Sequence, residues 1–398
     1  MLRGEIVKEP PLPRPPNVTR EVAEMPGAIF SKLQARIRQH PGPLFPLHVG
    51  DTWLDPVEGA RMEDLTLTTQ PRLHHYVAPQ GEPALIEALV EKLRAKNGLS
   101  VEPGAVLVTA GATGALSSAL GALLSPGEEV VVLAPFWPLI RGIVQAFRGR
   151  PVELPFYDRV GSAAEAVAAL RGVIGPNTVA IYVSSPSNPT GRVLPPEWLE
   201  AIAALARSLD LWLISDETYE DYVFRGEHVS VARFAPERAL TAFSFSKAYG
   251  MAGNRVGYLV GPPAIITQAR KVSTHTFYAA PTSGQRAALV ALTRGAEWIS
   301  RARALYQTTG DAAAAKLRLA PPEGSTFLFL DLRAVVDDRG VAGFLEDALE
   351  DGVLLAPGES CGAAYAGWAR LCFTSAPPDQ VEIAVARLSR RLGYTCWS

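Results

Sequence analysis

From Val101 onward, short apolar runs (VLVTA, EVVVLA, TVAIYVSS, LWLISD, ALTAFSF and VGYLV) alternate with longer helical stretches such as PEWLEAIAALARSL. Short apolar runs bounded by turn residues read as buried strands, and apolar residues recurring at three- and four-residue spacing read as amphipathic helices. Parallel neighbours need a crossover, so this alternation predicts an α/β fold with a mainly parallel sheet and helices on both faces. After about Thr282 an Ala/Arg-rich helical region leads into STFLFLDL, a further helix and GWARLCFTSA. That pattern predicts a smaller α+β domain shared with the N-terminal segment. Residues 21–39 predict a helix ended by HPGPLFP, whereas residues 8–18, KEPPLPRPPNV, are too proline-rich to be helical and predict an extended arm. The expected division is 1–50 for the arm and part of the small domain, 51–285 for the large domain and 286–398 for the small C-terminal domain. No internal repeat is evident.

With 398 residues, 48% of them hydrophobic and 20% charged, the chain can bury a large core and exceeds one average domain. A net charge of −2 and a pI of about 6.3 favour neither nucleic acid nor an anionic membrane as partner. Cys361, Cys372 and Cys396 show no CxxC or Cys/His ligand spacing, which argues for a reducing compartment and against a structural metal. No charged-then-apolar leader and no membrane-length apolar run occurs, so the expectation is a soluble cytoplasmic protein.

Three segments carry the chemistry. Residues 242–260, AFSFSKAYGMAGNRVGYLV, set Lys247 between two apolar runs, with serines before it, glycines after it and Arg255 further on. A lysine at the mouth of a buried strand is better placed to form a Schiff base than to solvate a surface. Residues 181–191, IYVSSPSNPTG, run from a strand into a polar turn, and residues 211–222, LWLISDETYEDY, end a strand in an acidic and aromatic cluster. Open α/β sheets bind ligands at such strand ends.

These segments, in this order and at these separations, resemble the class I/II aminotransferases among the fold-type I, pyridoxal-phosphate-dependent enzymes, over about residues 76–370. The resemblance implies a large domain with a mainly parallel, mixed seven-stranded sheet plus a smaller α+β domain. It implies that Lys247 holds the cofactor and moves protons, and that Asp216 keeps the pyridine nitrogen protonated as an electron sink requires. Asn188 and Tyr219 would bind the cofactor's phenolic oxygen. Gly111, Ala112 and Thr113 of the turn in VLVTAGATGALSSAL, with Ser244 and Arg255, would cradle the phosphate. Trp137 in APFWPLI would stack on the ring, Phe136 being the alternative if the register is displaced by one. Arg370 in GWARLCFTSA would pair with the substrate α-carboxylate beside Asn188 and Gly50, and Tyr76 would reach the phosphate of the other protomer, which implies a homodimer.

The implied reaction is ping-pong transfer of an amino group between an L-amino acid and a 2-oxo acid. A C–S lyase or an aminocyclopropane-carboxylate-type synthase on the same fold would share every cofactor residue and differ in the substrate's leaving group. A non-catalytic regulator with an aminotransferase-like domain would carry a DNA-binding helical module, and the proline-rich first 50 residues offer none. No second arginine for a dicarboxylic side chain is evident. LHVGDTWLDP, with Asp51 and Trp53, departs from the commoner Gly-x-Pro pattern of relatives, and STHTFYAAPTSGQ offers His275 and Tyr278 as further pocket candidates. These departures suggest a specialised substrate.

Overall fold

All six apolar runs form strands, and a seventh joins them. In the computed structural model, which describes residues 16–25, 27 and 34–394, these are β1 (Val106–Thr109), β2 (Glu129–Ala134), β3 (Arg150–Pro155), β4 (Thr178–Ser184), β5 (Trp212–Asp216), β6 (Ala239–Ser244) and β7 (Gly257–Val260). They make one sheet in the order β1-β7-β6-β5-β4-β2-β3. Every pairing is parallel except those of β7, which runs antiparallel to both β1 and β6. The unanticipated strand, β3, contains Pro151 and Pro155 and pairs only with β2. Proline removes a ladder donor and is confined to edges, so the same residues that disguise this strand also explain its place.

Strand alternation divides the core into two layers. Val131, Leu133, Ile181, Val183 and Leu213 share one buried cluster with Leu89 of helix Pro83–Asn97 and Ile202 of helix Pro196–Ser208. Val130, Val132, Ala180, Tyr182 and Ile214 share another with Leu116 of helix Gly111–Leu123 and Ile140 of helix Leu139–Ala146. Each fully buried aliphatic side chain contributes about 1.5–3 kcal/mol, so both helical layers are held mainly by this burial.

A second sheet, β8 (Phe327–Asp331), β9 (Ala356–Pro357) and β10 (Trp368–Cys372), is antiparallel in the order β8-β10-β9. Its core joins Leu371 to Tyr306 of helix Ala296–Lys316, Phe344 of helix Gly340–Glu350 and Leu388 of helix Pro378–Arg391. Phe45 and Leu47 belong to the same core, and the Cys372 N–H donates to the Leu47 carbonyl at 2.7 Å. That bond fixes the chain leading to Gly50.

The helix expected over residues 21–39 is not continuous: Arg20–Ala23 ends at Glu24 and Gly27 is non-helical, while Gln34–Gln39 is helical, and residues 26 and 28–33 lie outside the described residues. Pro26 followed by Gly27 interrupts the apolar pattern, and proline cannot continue a helix interior. Most of the expected arm, residues 8–15, and Cys396 lie outside the described residues; Asn17 and Val18 are exposed. Among the described residues no helix is long and apolar enough to cross a membrane.

Candidate active site

The parallel strands deliver their C-terminal ends to one edge of the large sheet. Asp216 ends β5 and Ser244 ends β6, while the turn after β1 starts helix Gly111–Leu123. Trp137 and Asn188 follow the ends of β2 and β4. Together with Gly50, Ala112, Thr113, Thr218, Tyr219, Ser246, Lys247, Arg255 and Arg370, these side chains line one cavity. Phe136 lies buried in the core with its N–H on the Cys361 carbonyl at 2.9 Å, so it is Trp137 that faces the cavity.

Beside the cavity lies the turn that opens helix Gly111–Leu123. Gly111 adopts φ +70°, which favours glycine, and a Cβ there would meet the Arg255 guanidinium at 2.5 Å. First-turn N–H groups lack partners within a helix, so the start of Gly111–Leu123 offers donors and positive potential beside that guanidinium. Arg255 is itself held by the Ala252 carbonyl at 2.8 Å and by Ser246 Oγ at 3.4 Å. The Ser244 hydroxyl accepts the Ser246 N–H at 3.1 Å and so caps the one-turn helix Phe245–Ala248 that carries Lys247.

In the middle, Lys247 Nζ donates to the Gly50 carbonyl. The Tyr222 hydroxyl lies 2.8 Å and 2.9 Å from the carbonyls of Lys247 and Ala248, bracing the same helix from below. Burial pushes the Lys247 ammonium below the ordinary lysine range; Arg370 and Arg255 add to this and Asp51 opposes it. Asp216 is buried, which pushes its carboxyl upward, while hydrogen bonds from Thr218 and Tyr182 oppose that rise. Tyr219 is likewise pushed up by burial, and its hydroxyl lies 3.5 Å from Asn188 Nδ2.

At the far end Arg370, buried on β10, spans the two sheets. Its Nη1 donates to Asn188 Oδ1 at 2.9 Å and its Nη2 to the His48 carbonyl at 3.0 Å, while the guanidinium lies 4.6 Å from the Phe327 ring centroid. Its Nε has no partner in this structure. Burial, reinforced by Arg370, holds the His48 imidazole down at about 4.

Several residues were not anticipated. Thr218 and Ser246 line the cavity, and Tyr182 and His48 touch its wall; all four lie inside or beside segments already legible as motifs, but neither periodicity nor spacing distinguishes them. Conversely, Asp51, Trp53, His275 and Tyr278 are not among the residues lining the cavity, and Trp53 packs against the second core instead. Tyr76 is 88% exposed with its ring 5.0 Å from that of Tyr278, away from the cavity within this chain.

A model of the aminotransferase class I and II family matches residues 43–388. The chain belongs to this family. It is 37% identical over 326 residues to the aspartate/prephenate aminotransferase of Thermus thermophilus, covering 80% of this chain and 83% of that protein. To the arginine–pyruvate transaminase of Pseudomonas aeruginosa it is 34% identical over 339 residues, covering 82% and 84%. The structure of Thermus thermophilus aspartate aminotransferase with maleate superposes with a TM-score of 0.85 at 33% identity, covering 94% of this chain and all of that one. The protein is a pyridoxal-phosphate-dependent aminotransferase that acts on amino and 2-oxo acids.

The cavity suits that cofactor. The helix start at Ala112 and Thr113 beside Arg255 fits a phosphate, the buried Asp216 carboxylate fits a protonated ring nitrogen, and Asn188 with Tyr219 fits a phenolate oxygen.

Proposed function

We propose that the cavity around Lys247 is the transamination site, that Lys247 holds the cofactor covalently, and that Arg370 receives the carboxylate of both the amino acid and the 2-oxo acid. One observation supports this best: Lys247, the two arginines, Asp216 and the Asn188–Tyr219 pair line a single cavity although the sequence spreads them from position 188 to 370. Gly111, Ala112, Thr113, Ser244 and Arg255 hold the phosphate, and Trp137 covers the ring. Bound there, pyridoxal phosphate supplies an electron sink for the substrate's Cα. Lys247, its amine neutral more readily because burial disfavours the charge, takes the proton from Cα. Arg370 is held by Asn188 and the His48 carbonyl with Nε still free to donate, so it presents a fixed fork to a carboxylate. One carboxylate site can serve both substrates in turn, because in a ping-pong order the first product leaves before the second substrate binds.

Borohydride reduction of the holoenzyme followed by peptide mapping tests the assignment, because reduction makes the link between lysine and cofactor permanent. The label is expected on Lys247; finding it on any other lysine would overturn the reading.

The relatives' names differ in amino donor, from aspartate and prephenate to arginine, so the donor of this chain is open to a screen against pyruvate and 2-oxoglutarate. We place the large domain at 51–285 and the small one at 286–398 with residues 1–50, in a cytoplasmic homodimer. The exposed Tyr76 supports a shared site, since a side chain remote from its own cavity is free to serve a neighbour's. Mixing Tyr76→Phe with Lys247→Ala under subunit exchange should then restore activity above the mean of the two parents. A mixture no better than that mean would count against sharing.

A further inference from the structure

We infer that Tyr182 is a positioning residue for the cofactor's ring nitrogen: its hydroxyl fixes the Asp216 carboxylate that faces the cavity. The inference rests on the reading above, in which Asp216 meets that nitrogen.

The argument begins with strand register. In the parallel pair β4 and β5, Ser184 lies opposite Asp216 and Tyr182 opposite Ile214. Tyr182 thus starts two residues back along β4, and a phenol laid along the strand brings its hydroxyl level with the carboxylate. The hydroxyl donates to Asp216 Oδ2 at 3.0 Å, and both residues are buried. On the other oxygen, Oδ1 accepts the Thr218 N–H at 3.2 Å. One donor on each oxygen sets the rotation of the carboxylate and leaves lone pairs toward the cavity that Asp216 lines.

Other groups near Asp216 are committed elsewhere. Tyr157 donates to the Ser184 carbonyl at 2.6 Å and accepts the Ser184 N–H at 3.0 Å, so its hydroxyl serves the β4 backbone. Glu217 accepts from Ser215 and Ser230, each at 2.9 Å, and from the Val231 N–H at 3.2 Å, with His228 Nε2 at 3.0 Å. Tyr219 faces Asn188. The phenols of Tyr182, Tyr157 and Tyr219 are all pushed up by burial and stay neutral donors across the physiological range.

A hydrogen bond to the ionised form of a carboxylate opposes its protonation. Burial works the other way at Asp216. Removing the Tyr182 hydroxyl therefore raises the pH at which Asp216 takes up a proton, and a protonated Asp216 no longer complements a positively charged ring nitrogen.

Tyr182→Phe keeps the ring and its packing, so the fold is expected to hold. The decisive measurement is the dissociation constant of pyridoxal phosphate for the cofactor-free protein, by equilibrium dialysis across about pH 5 to 8. The midpoint of the acid-side loss of affinity should move about one pH unit higher, with affinity about tenfold weaker at the acid end and little changed at the alkaline end. In the loaded enzyme kcat should fall with the amino-acid KM nearly constant, since Arg370 is untouched. Asp216→Asn is measured alongside. If Asp216→Asn loses affinity and the acid-side midpoint while Tyr182→Phe matches the wild type, the role of Tyr182 is overturned and that of Asp216 stands. If Asp216→Asn matches the wild type as well, Asp216 does not meet the ring nitrogen and both readings fall.

Discussion

Lys247→Ala is expected to lower turnover by ~10⁴-fold or more, because under the proposed assignment it deletes both the covalent anchor and the base that takes the Cα proton. The protein should still fold. Burial holds the Lys247 ammonium below its ordinary range, so at neutral pH the side chain contributes no favourable charge that alanine would forfeit. Cofactor affinity should fall far less than turnover, since Arg255, the start of helix Gly111–Leu123 and Asp216 remain in place. Single-turnover kinetics beside equilibrium dialysis separates the two effects. A variant with near-normal turnover would remove Lys247 from the chemistry.

Asp216→Asn should lower turnover by about 10²- to 10³-fold, the usual cost of losing one preorganised charge at a reacting centre. Its effect on the cofactor-free fold runs the opposite way. Asp216 is buried and its carboxyl is pushed up, so the folded chain holds this proton to higher pH than the unfolded chain does. The associated stability is fully present below the ordinary carboxylate range and is lost as pH rises through the elevated folded value. Asparagine cannot ionise, so the variant's Tm should be at least that of the wild type at neutral pH, and the decline over that window should flatten. Thermal unfolding of the cofactor-free proteins at several pH values measures this. A lower Tm at neutral pH with normal turnover would make Asp216 a structural acceptor only.

Much of the molecule was legible because its signals are local. Each of the six apolar runs carries its own periodicity, and each became a strand whatever its neighbours did. β3 escaped because Pro151 and Pro155 contradict strand propensity, and only its place at the sheet edge makes them harmless. The break in residues 21–39 after Ala23 follows from a Pro-Gly step that the apolar spacing had hidden. At the site, Lys247, Asp216, Asn188, Tyr219, Arg255 and Arg370 stand in segments whose order and spacing are themselves distinctive, and all six line the cavity.

What remained hidden depends on pairs far apart in the chain. Tyr182 looks like any core aromatic on a strand until parallel register lays its hydroxyl against Asp216, 34 positions away. Arg370 becomes a buried fork only when Asn188, 182 positions away, and the His48 carbonyl, 322 away, close on it from different segments. The choice between Phe136 and Trp137 turned on which side of a turn faced the core. Strand and helix type, the lysine and the acidic strand end were determined by the sequence alone, because hydrophobic period and turn chemistry act within a few residues. The orientation of each charged group, and with it the direction of its proton equilibrium, was decided by the tertiary structure, since burial and long-range partners come into being only when the two sheets close on one cavity.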